Sequence, residues 1–562
     1  MKATVLASLL AASFTSSLAV AQERIEDIAP KRSFAIIGVD NMTAMRESIK
    51  SGHLWSMWED ERMQELMSQS LDDLAFNLST MEQDLDLEAG TLQLPDGPVG
   101  IAMFTAMNDE LGMDTLGMIA MVDYGDEAKL TSLVNAMVDQ MQGQGAEIKD
   151  KQIAGRTVYI IDNPQAEEDE WDQGGGGDPM NPMAMMEPMT LGLEKMYVCR
   201  EGARLLLCSS ETVLSDALGV VDGDDMDSVA DSSIYRDALA QVGNGDGHAV
   251  VLIDNIVRVA DLQPMFMMVG PMLSEPMKRL GFANMEALSL SVDLSPEGNT
   301  VARQRIGMLI DGEKLGLMKL MDQQPRNSVP AFVGADVTSY SHFNFDFAGL
   351  MDVIDDAVAS LPFEVQQGYD DMMLQFGPDL KSLLNNMGRE VHVATSTRGP
   401  VFAMKTVDAQ KFEGALGAFA PQMQLEPRDF VGQTIYSGDF APMAIGIGGG
   451  YAIIGDPTDV EMAMRAAGAL NEEGALTKEQ VFSHAIDALP GGNVVAWGFA
   501  DSAAMLDESL TLAADAGAPD VDERQFVEIA RDYLGPAVWQ VRSVDNGFVM
   551  DWMNLLPPAD GQ

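Results

Sequence analysis

The chain has 562 residues, with 34 Lys and Arg against 87 Asp and Glu, and a formal net charge of -53. A surface so negative repels nucleic acid and anionic lipid headgroups, which bind proteins through cationic side chains, and this excludes a nucleic-acid role. With 46% hydrophobic residues, the chain can bury more than one core and is long enough to divide into domains.

The first stretch, MKATVLASLLAASFTSSLAVAQ, has one Lys, a run of small and apolar residues, and Ala19-Val20-Ala21 before Gln22. That is the pattern of a secretory signal peptide, so residues 1–21 are expected to be removed. No cysteine sits at the cleavage point to carry a lipid anchor. No later uncharged apolar run reaches the roughly 18 residues of a membrane span, so the mature chain is expected to have no transmembrane segment. The expected location is periplasmic or secreted, where a disulfide persists. The acidic composition then reads as the solvated surface of an exported protein in salty water.

From residue 31 onward, short strands rich in Val, Ile and Met alternate with amphipathic helices such as Asp60 to Met81. Several strands are joined in pairs by Gly turns, which implies antiparallel neighbours, and helices fall between the pairs. After the strand RTVYIID comes NPQAEEDEWDQGGGGDPMNPMAMMEPM. This insert is acid-rich, then Gly-rich, then Pro- and Met-rich, with too few branched apolar residues to bury itself; residues 164–189 are expected to be a disordered surface loop. Its methionines Met180, Met183, Met185, Met186 and Met189 are a soft-metal candidate, because clustered thioethers bind Cu(I) or Ag(I). Against that stand the 42 Met of the whole chain.

MYVCREGARLLLCSS carries both cysteines, Cys199 and Cys208. A turn at Glu201-Gly202 puts Cys199 opposite Arg204 and Cys208 opposite Lys195, which leaves the sulfurs roughly 13 Å apart. A disulfide needs Cα atoms within about 7 Å, so two free thiols are expected; a longer turn would bring them face to face. DGDDMD, Asp222 to Asp227, lacks the fifth-position oxygen ligand and sixth-position glycine of a calcium loop.

Met196 to Gly219 aligns without a gap on Met443 to Ala466: strand, glycine turn, strand, polar break, helix. GMIAMVDYGDEAKLTSLVNAM from Gly117 parallels PVFAMKTVDAQKFEGALGAF from Pro400, and IYRDALAQVGNGDGHAVVLID from Ile234 parallels VFSHAIDALPGGNVVAWGFAD from Val481. FAIIGVDNMTAMRESI and YSHFNFDFAGLMDVI open the two halves alike. Four matches in one order read as a tandem duplication. The expected fold is α+β, two tandem similar domains over residues 31–321 and 329–557. Each is a large, mainly antiparallel sheet with helices packed against it.

No H-E-x-x-H or G-x-S-x-G occurs, and the five histidines, His53, His248, His342, His392 and His484, lie on separate elements. They read as surface or satisfied structural residues. GIGGGYAIIG from Gly446 joins two strands and is a hairpin rather than a dinucleotide loop. No catalytic, cofactor-binding or metal residue is assigned beyond the methionines above, and no cofactor is expected.

PAFVGADVTSYSHFNFDFAGLMDVI and DLKSLLNNMGREVHVAT resemble a family of large exported bacterial proteins with a duplicated α+β domain of unknown function, most clearly over residues 329–470. The resemblance implies an exported, duplicated protein and carries no activity. The expected function is that of a non-catalytic envelope protein that binds an unknown protein partner or assembles through its sheets. The alternative is a carrier or sensor of a small hydrophobic ligand in a Met-lined cleft, such as one formed by LQPMFMMVGPML from Leu262.

Overall fold

The computed structural model describes residues 23–558 except 69–78, 81–94, 109–112, 144–147, 163–194, 224–226, 261–273, 323–328, 439–442, 469–474 and 507–520. The chain forms two compact units. One takes residues up to Gly52, Met67–Met267 and Ala287–Leu294; the other takes His53–Leu66, Met268–Glu286 and residues from Ser295 on. Both are α+β.

Among the described residues nine strands build the first unit: β1 Ala35–Val39, β2 Val99–Asn108, β3 Met113–Asp123, β4 Ile148–Ile153, β5 Arg156–Asp162, β6 Lys195–Glu201, β7 Arg204–Cys208, β8 Gly247–Leu252 and β9 Met285–Asp293. They pair antiparallel throughout, in the order 9-8-1-2-3-7-6-5-4. The helices that matter below are α1 Ile25–Ile28, α2 Glu127–Gly143, α3 Glu211–Asp222 and α4 Ser233–Val242. Helix α3 starts where the Ser210 side chain accepts a hydrogen bond from the Val213 N–H, and it stops at Gly223 in the left-handed region. Between the caps, Val213, Leu214, Ala217 and Leu218 recur at three- and four-residue spacing and are all buried. The opposite face of the sheet packs Val198 and Leu205 against Leu130 and Val134 of α2.

Among the described residues eleven strands build the second unit: β10 Thr300–Ile310, β11 Val337–Asn344, β12 Met387–Ser396, β13 Gly399–Thr406, β14 Glu426–Phe430, β15 Gln433–Ser437, β16 Ala444–Gly448, β17 Tyr451–Gly455, β18 Val494–Ala500, β19 Ala537–Val544 and β20 Gly547–Leu555. They too are antiparallel, ordered 10-20-19-18-11-12-13-17-16-15-14. Strands β11 to β19 therefore stand in the order of β1 to β9. Registers agree as well: Ile36 faces Ala102 as Tyr340 faces Ala394, and Cys199 faces Leu206 as Gly446 faces Ile453. Helices α5 Phe363–Asn386 and α6 Ala409–Phe419 lie on one side of the unit, α7 Pro457–Gly468 and α8 Gln480–Asp487 on the other.

The units do not divide at the expected 321/329 boundary. Strand β10 lies in the second unit because it pairs with β20 from Thr300 opposite Leu555 to Leu309 opposite Gly547. The helix expected over Asp60 to Met81 is present at 61–68; its continuation falls partly outside the described residues.

The cysteines are free, as expected, but their register differs. Glu201 faces Arg204 across a two-residue turn in which Gly202 takes φ 60°, so Cys199 faces Leu206 and Cys208 faces Tyr197. The turn is shifted by one residue, to Gly202-Ala203, and the sulfurs are diagonal rather than opposed. In the second unit the turn is Gly449-Gly450, both at positive φ, which bears out the hairpin reading of the glycine run.

Packing explains why Cys199 corresponds to a glycine. A Cβ on Gly446 would lie against Met464 Sδ and 2.8 Å from Val460 Cγ1 of α7. At the matching place on α3 stands Ala217 in place of Met464, and the space goes to the Cys199 side chain, which is fully buried. The helix side chain and the strand side chain trade volume. Gly446→Ala is thus expected to cost about 1–3 kcal/mol by overpacking. In a urea-denaturation double-mutant cycle, Met464→Ala should recover part of that loss; strictly additive effects would show that the two positions do not share one space.

Candidate functional site

In the first unit the most unusual chemistry lies where α1 meets the sheet. Strands β1 and β2 carry glycine at opposed positions, Gly38 and Gly100, and Ile25 of α1 packs over them; a Cβ on Gly100 would stand 2.5 Å from Ile25 Cβ. The next residue, Glu26, is thereby drawn inside at 1% exposure. Its Oε1 faces Arg24 Nε at 3.0 Å, and Arg24 also donates to Asp40 Oδ2 at 3.1 Å. His248 of β8, itself buried, stands between the two carboxylates: Nε2 is 3.9 Å from Glu26 Oε2, and Nδ1 is 3.6 Å from Asp40 Oδ1. The Tyr235 hydroxyl of α4 is 3.3 Å from the same Nε2.

Burial dominates the electrostatics of this cluster. It raises the Glu26 carboxyl to about 7 against the opposing pull of its own backbone N–H and of Arg24. It lowers His248 against the attraction of Asp40. With Oε1 against Arg24, Oε2 accepts no hydrogen bond and is open to a proton or a cation.

The matching sheet positions in the second unit hold aromatic rings instead. His342 stands where the first unit has Gly38, His392 where it has Gly100, and Trp497 where it has His248. The two imidazoles stack with centroids 4.3 Å apart and planes 24° apart. His392 Nδ1 pairs with Tyr340 Oη at 2.8 Å. The row runs on through Gln540 to Asp551, which is fully buried and accepts from Arg303 at 2.6 Å, Arg305 at 3.2 Å and Arg542 at 2.8 Å. Burial pushes the Asp551 carboxyl up, but the guanidiniums of Arg303 and Arg542 outweigh it and hold it below the usual range. Along this row both nitrogens of His342, His392 Nε2, Trp497 Nε1 and Gln540 Nε2 have no hydrogen-bond partner.

The other face of the same sheet is covered by α5 and α6 around β15 to β17, where Ile454 packs against their core, and carries half-exposed side chains beyond them. Trp552, Trp539, Gly498, Ser341, Val393, Phe402 and Ile454 follow one another on adjacent strands. Phe402 is 43% exposed, and Ile306, on the same face of β10, is 42% exposed. The first unit shows the same trait, with Ile37 and Ile101 directly opposed and exposed.

The sequence-derived candidates fare unevenly. Met180, Met183, Met185, Met186 and Met189, with the rest of residues 164–189, lie outside the described residues, as does most of LQPMFMMVGPML. Cys199 and Cys208 lie side by side in the core, and burial raises the Cys199 thiol to about 11. Asp222 pairs with Arg156 and Asp227 with Lys31, so both ends of DGDDMD are ion-paired. The reading of the histidines as separate, satisfied residues needs correction: antiparallel pairing of β11 with β12 puts His342 opposite His392, and His248 joins Glu26 and Asp40. The available signal was the alternation FAIIGVD, GHAVVLI and REVHVAT, which puts each histidine or its glycine counterpart on the inward side of its strand.

The histidine stack fixes a pH dependence. Burial lowers His342 to about 4, and burial with the nearby His342 and Lys405 lowers His392 to about 3. An unfolded chain protonates both near 6.5, so as pH falls below that value the unfolded state binds protons first and stability falls. The loss between pH 6.5 and 4 should be on the order of 3 kcal/mol for His342. Melting temperatures of the wild type and of His342→Phe across that range would test this; parallel curves would refute it. In the comparisons with known proteins, no protein-family model matches the chain and no curated protein matches it. One solved structure, described as "Structure of crystal form I of TP0453", aligns at 12% identity and a TM-score of 0.23, covering 42% of this chain and 82% of that one.

Proposed function

We propose that the protein is an exported, non-catalytic envelope protein that binds a macromolecular partner or assembles through the outward faces of its sheets. The observation that carries this reading is the set of exposed apolar side chains on the outward sheet faces, Phe402 and Ile306 in the second unit and the opposed Ile37 and Ile101 in the first. Half-exposed aromatic and branched side chains on a sheet face are the composition of an interface core. Export is supported by the leader-like first 21 residues and by the net charge of -53. A non-catalytic role is supported by the chemistry at hand: the Cys199 thiol is raised away from nucleophilic range, and the stacked imidazoles, lowered by burial, pair with the buried Tyr340 phenol. No helix among the described residues is long and apolar enough to cross a membrane.

Cell fractionation with intact-mass measurement tests the first half of the proposal. The expected outcome is an exported protein beginning at Gln22, and an unprocessed chain in the cytosolic fraction would overturn it. For the second half, Phe402→Lys and Ile37→Lys should each abolish self-association or partner co-elution in size-exclusion chromatography with light scattering, without lowering the melting temperature. Native mass spectrometry that shows a bound lipid and no partner would favour the carrier instead.

A further inference from the structure

We infer that Glu26, Asp40 and His248 form a binding site for one divalent transition-metal ion of the zinc class. One ligand atom from each lies within 4.8 Å of the other two. Tetrahedral coordination at roughly 2.1 Å per bond requires ligand separations of about 3.4 Å. His248 Nδ1 and Asp40 Oδ1, at 3.6 Å, are nearly so placed, whereas Glu26 Oε2, 3.9 Å from Nε2, must turn toward the Nδ1 side of the ring to complete the set.

The surrounding groups orient these three. Arg24 engages one oxygen of each carboxylate, Glu26 Oε1 and Asp40 Oδ2, and leaves Oε2 and Oδ1 turned toward the imidazole. Tyr235 Oη, 3.3 Å from Nε2, accepts the ring proton there and frees the Nδ1 lone pair, the usual way a metal-ligating histidine is held by an outer partner. Two carboxylates against one guanidinium leave a net negative pocket. Glu26 supplies the independent sign of a ligand: a carboxylate at 1% exposure whose Oε1 meets the Arg24 guanidinium and whose Oε2, on the imidazole side, accepts no hydrogen bond. One imidazole nitrogen with two carboxylate oxygens suits zinc or a neighbouring transition metal, whereas calcium takes six to eight oxygens. In the second unit the sheet position of His248 is held by Trp497, which offers no lone pair to a metal.

Isothermal titration of the mature chain with Zn²⁺, in millimolar Mg²⁺ to occupy surface carboxylates, should show one tight equivalent. Affinity should fall at least tenfold in His248→Gln and in Glu26→Gln, while the exposed control Glu47→Gln binds as wild type. Because a variant can fail to fold, Co²⁺ is added to the wild type as well, with the visible d–d band of a four-coordinate site expected. Zinc binding equal in all variants would mean that only dispersed surface carboxylates bind it. No excess over Mg²⁺ together with no cobalt band would equally overturn the site, and neither result bears on partner binding through the sheet faces.

Discussion

Each unit depends on one central strand held between two antiparallel neighbours, β1 between β2 and β8, and β11 between β12 and β18. Because side chains alternate across a strand, these two ladders decide which residues meet inside and which look outward. They set His342 beside His392 and Trp497 on the inward face and leave Ser341, Val393 and Gly498 outward. The same ladders oppose Gly38 to Gly100 and His248, which opens the hollow that α1 fills. A single-residue slip in either central strand would exchange the polar row for the apolar one. The buried cluster and the outward row are therefore two consequences of one register.

The shortage of cations shapes the rest. Guanidiniums recur between pairs of carboxylates: Arg24 between Glu26 and Asp40, Arg62 between Asp60 and Asp532, Arg156 between Glu201 and Asp222, Arg398 between Asp336 and Asp459. A planar fork with five donors serves two acceptors at once, which a lysine ammonium does less well. Exposed pairs of this kind contribute little each, but they bring together acidic segments distant in sequence that would otherwise repel. At Asp551 the ratio reverses, with three arginines around one carboxylate, because a fully buried charge needs every lone pair answered.

Much of this architecture was legible in the residues. Alternation of Val, Ile and Met with Gly turns gave the strands and their antiparallel sense, and the pattern from Met196 and from Met443 announced two hairpins followed by helices, which the structure contains. What escaped were facts of long-range pairing. The cysteine register hinged on whether the turn held Glu201-Gly202 or Gly202-Ala203, a one-residue choice that local propensity does not decide. The acidic cluster unites residues 24, 26, 40, 235 and 248, and no spacing rule joins positions over 200 residues apart. Glu26 in particular sits in a charged stretch, RIEDI, that reads as solvated until Ile25 and Ile28 are seen to anchor it.

Strand β10 carries a consequence for how the molecule can be divided. It follows β9 in the chain, yet its backbone completes the ladder of β20, nine residues that alternate Phe548, Met550 and Trp552 on one side with Val549, Asp551 and Met553 on the other. A gene cut at the apparent linker, after residue 321, would leave β20 of the downstream fragment paired with β19 on one edge and bare along the other. It would also leave Asp551 with one arginine in place of three. A long, apolar, unpaired edge is a template for pairing between chains. The downstream half is thus not an autonomous module: a soluble version of it must begin before Thr300, and shuffling at the linker would yield aggregates rather than a transferable domain.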